Sequence, residues 1–174
     1  MDDLKAQVSA LFWCELAGQA MRSALQARVM AGAGLEGDRY CTGRGAYSDT
    51  QPPKIRHISF ITQDGIDTAN EWQEAAGLPG FSMAQTRRNV LLRGLSAQAL
   101  NALVGRRFWV GAIECYGIEL ATPCPRPSAL SGLAGFQDAF EGRGGLRAQV
   151  LSTGWLRVGD ALNAMTDDNA APAA

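Results

Sequence analysis

The segment Thr122-Pro123-Cys124-Pro125-Arg126-Pro127 sets one thiol among three prolines and beside a guanidinium. Proline fixes its own φ and stiffens a turn, so the sulfur of Cys124 is expected to be held in one orientation. A guanidinium from Arg126 or elsewhere in the fold would favour the thiolate, the form that binds soft metals or accepts a sulfur atom. The competing role is a small buried hydrophobe ending a strand. The other three thiols lack such a setting: Cys115 lies within an apolar alternation and reads as core, Cys14 follows Phe12-Trp13 and also reads as structural, and Cys41 flanks Asp38-Arg39, where it could face the same cleft as Cys124.

Thr86-Arg87-Arg88-Asn89 places two guanidiniums and an amide just ahead of a strand, a set of planar donors that suits a phosphate or the edge of a pterin. For an isolated arginine pair, plain solvated surface or a salt-bridge partner is the more common role. In Gly34-Leu35-Glu36-Gly37-Asp38-Arg39 the charged groups could brace a loop or orient a ligand. Gly142-Arg143-Gly144-Gly145-Leu146-Arg147 could bring backbone N–H groups close to a ligand, but it is neither a Walker loop nor a dinucleotide fingerprint. His57 is the single histidine, which excludes a multi-imidazole zinc site and leaves a Cys–His dyad only formally open.

Elements that must position these residues follow from periodicity. Gln7–Trp13 and Ala27–Met30 read as strands, and the glycines between Met30 and Tyr47 break any period and predict a long loop of unusual backbone angles. His57–Ile61 alternates as a strand. Thr62 then caps a helix through Ile66, Ala69 and Trp72 that stops at Gly77. Asn89–Leu92 is a strand, followed by a helix capped by Ser96 and closed by Gly105. Phe108–Val110 and Ile113–Ala121 make a hairpin about Gly111, and Leu146–Leu151 with Trp155–Val158 suggests a second. Strands and helices do not alternate regularly, so the expected architecture is mainly β, a closed barrel with a few peripheral helices.

The 174 residues suit one domain, expected over 1–165 with a frayed tail over 166–174. A hydrophobic fraction of 47% and a charged fraction of 19% are those of a folding globular chain. A net charge of −1 gives no global attraction to nucleic acid or anionic lipid, so an anion site must come from local arginines. No apolar run reaches the roughly 20 residues of a membrane helix, and Met1-Asp2-Asp3 lacks a secretory start, so a cytoplasmic protein with free thiols is expected.

Taken in order, Gly34–Arg39, Ile58–Thr62, Thr86–Val90, Leu100–Gly105 and Pro123-Cys124-Pro125, with the closing Gly142–Ala148 and Arg157–Asp160, resemble the MOSC family, named from the C-terminal domain of molybdenum-cofactor sulfurase. The resemblance runs from Gln7 to Asp160. It implies a pyruvate-kinase-like β-barrel whose cysteine, Cys124 here, ligates molybdenum or carries a persulfide. It also implies that Arg87 and Asn89, matching an R-x-N motif, hold the molybdopterin cofactor, with Arg88, Asp38, Arg39 and Arg143 as further candidates for its site. Fused members carry a pyridoxal-phosphate domain or an extra N-terminal barrel that this sequence lacks. Many single-domain members have Cys-Glu-Pro-Cys where this chain has Ala121-Thr122-Pro123-Cys124, so a mechanism needing two neighbouring thiols is disfavoured.

Three functions follow. The first is an oxidoreductase with Cys124 on molybdenum that reduces N-hydroxylated substrates with an electron-transfer partner. The second is a sulfur carrier, charged at Cys124 by a separate pyridoxal-phosphate cysteine desulfurase. The third is a non-catalytic binding module. Strand edges could pair into a homodimer, though no residue indicates it.

Overall fold

The computed structural model describes residues 6–164; the expected tail falls outside them. Two sheets carry the molecule. Eight strands form the larger: β1 (Gln7–Trp13), β2 (Arg22–Ala24), β5 (Ile58–Thr62), β6 (Val90–Arg93), β7 (Arg107–Val110), β8 (Ile113–Leu120), β9 (Leu146–Val150) and β11 (Leu162–Ala164), in the order β11-β7-β8-β9-β5-β6-β1-β2. The smaller has the order β10-β3-β4, from β3 (Gln26–Met30), β4 (Gly34–Leu35) and β10 (Gly154–Arg157).

The expected closed barrel is corrected: the large sheet is a strongly curled half-barrel and stays open. The free edge of β1 is divided between two neighbours. Its C-terminal half pairs with β2, from Leu11↔Ala24 to Trp13↔Arg22, while its start meets the chain before β11 only through the isolated bridge Gln7↔Ala161 and flanking bonds such as Val8 N–H to Asp160 O at 2.9 Å. No continuous ladder therefore joins β11 to β1.

Strands β5 and β6 pair in parallel, Phe60↔Val90 to Thr62↔Leu92, and the helix α1 (Gln63–Ala75) makes the crossover between them. Both strands are buried on both faces over Phe60-Ile61 and Val90–Leu92, where their residues are apolar. Phe60, Val90 and Leu92 point into the half-barrel with Leu11, Phe108, Ile113, Leu146 and Val150. Ile61 and Leu91 point outward to a second cluster with Ile66, Ala69, Phe81, Phe136 and Phe140. The Thr62 hydroxyl caps α1 by accepting Gly65 N–H at 3.0 Å, and Gly77 follows the helix at φ +71°, as its sequence predicts. Trp72 turns to solvent; the buried place falls to Gln73, whose amide donates to Pro79 O at 3.0 Å and Ala134 O at 2.8 Å.

The hairpin β7–β8 forms about Gly111. The second expected hairpin does not. β9 pairs with β5 and β8, whereas β10 crosses to the small sheet beside β3. The intervening Ser152 and Thr153 hold that crossing, accepting N–H bonds from Glu114 at 2.8 Å and Ala31 at 3.0 Å. Short helices α2 (Met83–Thr86), α3 (Ala97–Asn101), α4 (Arg126–Ser131) and α5 (Phe136–Ala139) complete the element set; of these, only α3 is predicted by the sequence.

Candidate functional site: an arginine-lined cleft at Cys124

The residue that opens the site is Arg87. It caps the C-terminus of α2 at φ 65°, the left-handed region that non-glycine residues rarely occupy. Such strain persists only where the surroundings fix it. Here the Arg87 carbonyl accepts from Arg39 Nη2 at 3.1 Å, while its guanidinium donates to Gln19 O and, at 3.4 Å, to Cys14 Sγ. The turn sends Arg87, Arg88 and Asn89 in three directions at the entry to β6.

Cys124 lies between the end of β8 and the start of α4, half-buried, with Pro125 as the helix N-cap and Pro127 in the first turn. It lines one cleft of about 610 Å³, counted to its open mouth. Arg39, Arg56, Arg87, Arg88, Arg126 and Arg147 line the same cleft, with Tyr40, Tyr47, Ser59 and Asn89, and no carboxylate is among its lining residues. Ion pairs from behind engage only two of those arginines among the described residues: Arg39 with Asp38 at 3.1 Å and Arg147 with Glu119 at 3.8 Å. A chain of net charge −1 thus concentrates positive charge at one thiol.

The Tyr47 hydroxyl faces Cys124 Sγ at 3.8 Å. That hydrogen bond, the charge of the sulfur and burial hold the phenol above its ordinary range. Arg56 lies over Tyr47 at 5.0 Å and over Tyr40 at 5.9 Å, so the two rings and the guanidinium form one wall. Beyond that wall, Cys41, Lys54 and His57 line an adjoining recess rather than the Cys124 cleft. Burial, with the charges of Asp38 and Glu36, raises the Cys41 thiol against a hydrogen bond from Gly37.

Arg88 is buried and donates to Gly144 O at 2.7 Å, Ala121 O at 2.9 Å and Thr86 O at 3.3 Å. It ties the root of the Cys124 segment to the start of β9. Desolvation lowers its guanidinium to about 10, and the charge of Cys124 is the largest opposing influence. Asn89 is fully engaged: Oδ1 accepts from Ser59 N at 3.1 Å and Oγ at 2.9 Å, and Nδ2 donates to Phe12 O at 3.1 Å and Asp38 Oδ1 at 3.4 Å.

Of the residues singled out by sequence, Cys124, Arg39, Arg87, Arg88 and Asn89 meet in one cleft. Asp38 sits behind it as a buried hub, also accepting Tyr40 N–H at 3.1 Å. Arg143 lies elsewhere, its guanidinium donating to Ala139 O at 2.7 Å. The glycines beside it serve backbone packing: a Cβ at Gly144 would stand 2.5 Å from Ala121 O. Cys115 is core, as its alternation indicates, and burial pushes its thiol up to about 12. Arg56, Arg147, Tyr40 and Tyr47 escaped the sequence reading. Arg147 had a signal, since it alternates outward from buried Leu146 and Ala148 next to the glycine run.

The sequence pattern of the MOSC domain matches residues 56–163, well over half of the chain, and the chain belongs to the MOSC domain family. That family is linked to molybdenum-cofactor-related function. No curated protein matches the chain. Among solved structures it is similar to the YUAD protein from Bacillus subtilis, with a TM-score of 0.72 and 17% identity over 91% of this chain and 94% of that one. It is also similar to YiiM from Geobacillus stearothermophilus (TM-score 0.62, 14% identity, 92% of this chain and 75% of that one) and YiiM from Escherichia coli (0.60, 16%, 93% and 71%). At such identities the likeness concerns the fold. No helix among the described residues is long and apolar enough to cross a membrane.

Proposed function

We propose that the cleft binds a molybdenum cofactor, with Cys124 as the protein ligand to the metal, and that the protein reduces N-hydroxylated compounds. The observation that carries this reading is the union of a half-exposed thiol with six lining guanidiniums and no lining carboxylate. The fit is chemical. Among the described residues no cluster of three or more His, Cys, Asp or Glu side chains could hold a metal ion. A single thiolate suffices where an organic cofactor brings the remaining ligands, and a phosphate-bearing cofactor suits guanidiniums that line a cleft.

When bound, the cofactor supplies the two-electron chemistry, and N–OH becomes N–H with uptake of two protons and release of water. Arg39, Arg87 and Arg126 would hold the phosphate end. Asn89, with every polar atom engaged inside the protein, acts from behind by fixing Ser59 and the entry to β6. Arg88 holds the Cys124 segment in place through Ala121 O. Tyr47 stands where it can deliver a proton beside the sulfur. The electrons must come from a separate redox partner.

The same half-exposed, cation-surrounded sulfur would serve a sulfur carrier charged by a separate pyridoxal-phosphate desulfurase. One preparation separates the two. Protein purified from a host with an intact cofactor pathway is expected to contain molybdenum and pterin, both lost in Cys124→Ser. Protein free of both, gaining one sulfur at Cys124 on incubation with desulfurase and cysteine, would establish the carrier instead.

A further inference from the structure

Behind the cleft lies a thiol that the proposed function does not use. Cys14 follows β1 and is fully buried. Its sulfur accepts from Arg39 Nη1 at 3.3 Å and from Arg87 Nη2 at 3.4 Å, while its S–H faces Leu16 O at 3.4 Å. Its backbone N–H donates to Asp38 Oδ1 at 3.3 Å, the oxygen that also pairs with Arg39 at 3.1 Å. One residue thus touches both guanidiniums and the carboxylate that braces one of them.

Those guanidiniums repel each other. Burial and the neighbouring charges of Arg39 and Arg126 lower the Arg87 guanidinium, and Cys14 is the group that opposes them. No carboxylate pairs with Arg87 among the described residues. A carboxylate in the place of Cys14 would hold both arginines and also cancel the charge an anionic ligand needs. A sulfur reaches both through hydrogen bonds, with a longer reach than a hydroxyl.

We propose that Cys14 is a positioning residue. Its sulfur is the shared rear anchor that sets the spacing of Arg39 and Arg87, so that both present donors to one oxyanion group, a phosphate or diphosphate, at this end of the cleft. The inference rests on reading the cleft as an anion site.

The test is calorimetric titration of the full-length protein with inorganic diphosphate. Cys14→Val removes the acceptor at the cost of one added methyl group; Cys14→Ser keeps an acceptor. The valine variant is expected to bind about tenfold more weakly and the serine variant within about threefold of the parent, at similar thermal stability. Equal affinity in the valine variant and the parent, or equal losses in both variants, overturns the anchor. If the parent protein itself does not bind, or Arg87→Gln binds as well as the parent, it is the anion-site reading that fails. A measurement on the parent protein stands apart from variant stability: nitrogen-15 NMR should show slowed guanidinium rotation in Arg39 and Arg87, and fast averaging of both would remove the anchor.

Discussion

Burial holds the His57 imidazole below its ordinary 6.5, and its Nδ1 accepts the Val150 N–H at 3.1 Å, so the ring is neutral on that nitrogen in the folded state. The unfolded chain takes up this proton first as pH falls. The contribution is therefore fully present above 6.5 and is lost as pH drops through the lowered folded value. His57→Gln should flatten the slope of Tm against pH as pH falls below 6.5. An unchanged slope would mean that other groups carry it. His57 is the single histidine and opens an alternating strand, but that it would serve as an acceptor for a strand it joins from 93 residues away was not legible. The same holds for Asn89. Its residue type and motif mark it as important, while its four bonds, to Phe12, Asp38 and Ser59, turn it from a ligand-facing amide into a brace.

At the scale of elements, the approach to β9 is tightly constrained. Gly145, which immediately precedes β9, sits at φ +98°, and a Cβ there would stand 2.0 Å from Phe60 O, at the end of the pairing of β5 with β9. Gly145→Ala should cost at least about 3 kcal/mol, combining left-handed strain with a backbone clash. Denaturant unfolding reads the loss directly, and a loss below about 1 kcal/mol would mean that the two strands separate readily. The glycine run was visible in sequence as a place of close approach. What approaches is backbone, not ligand. Strands β1, β5, β6 and the β7–β8 hairpin were likewise legible, because their alternation or their turn glycine acts locally. The β9–β10 hairpin failed for a non-local reason: Ser152 and Thr153 look like turn residues, yet they bond to Glu114 and Ala31 and hand the chain to another sheet.

Over the whole molecule, the small sheet is not a separate unit, since Val29, Leu35 and Leu156 enter the same core as Phe60, Phe108 and Leu146. Leu35→Ala should cost about 2–5 kcal/mol and leave one cooperative unfolding transition, coincident by near- and far-ultraviolet circular dichroism. Two resolved transitions would show that the sheets unfold independently. What the sequence by itself determined was the local grammar: a proline-locked thiol, the arginine–asparagine segment, the capped crossover helix, and the ordered segments that mark a MOSC domain. Only the tertiary structure decided that the barrel stays open, because β1 divides one edge between β2 and the approach to β11. Only it gathered Arg39, Arg56, Arg87, Arg126 and Arg147 around Cys124 from separate parts of the chain. Periodicity reports which side of an element is buried, but which charges converge in space depends on strand order and loop return, and these are settled by long-range packing.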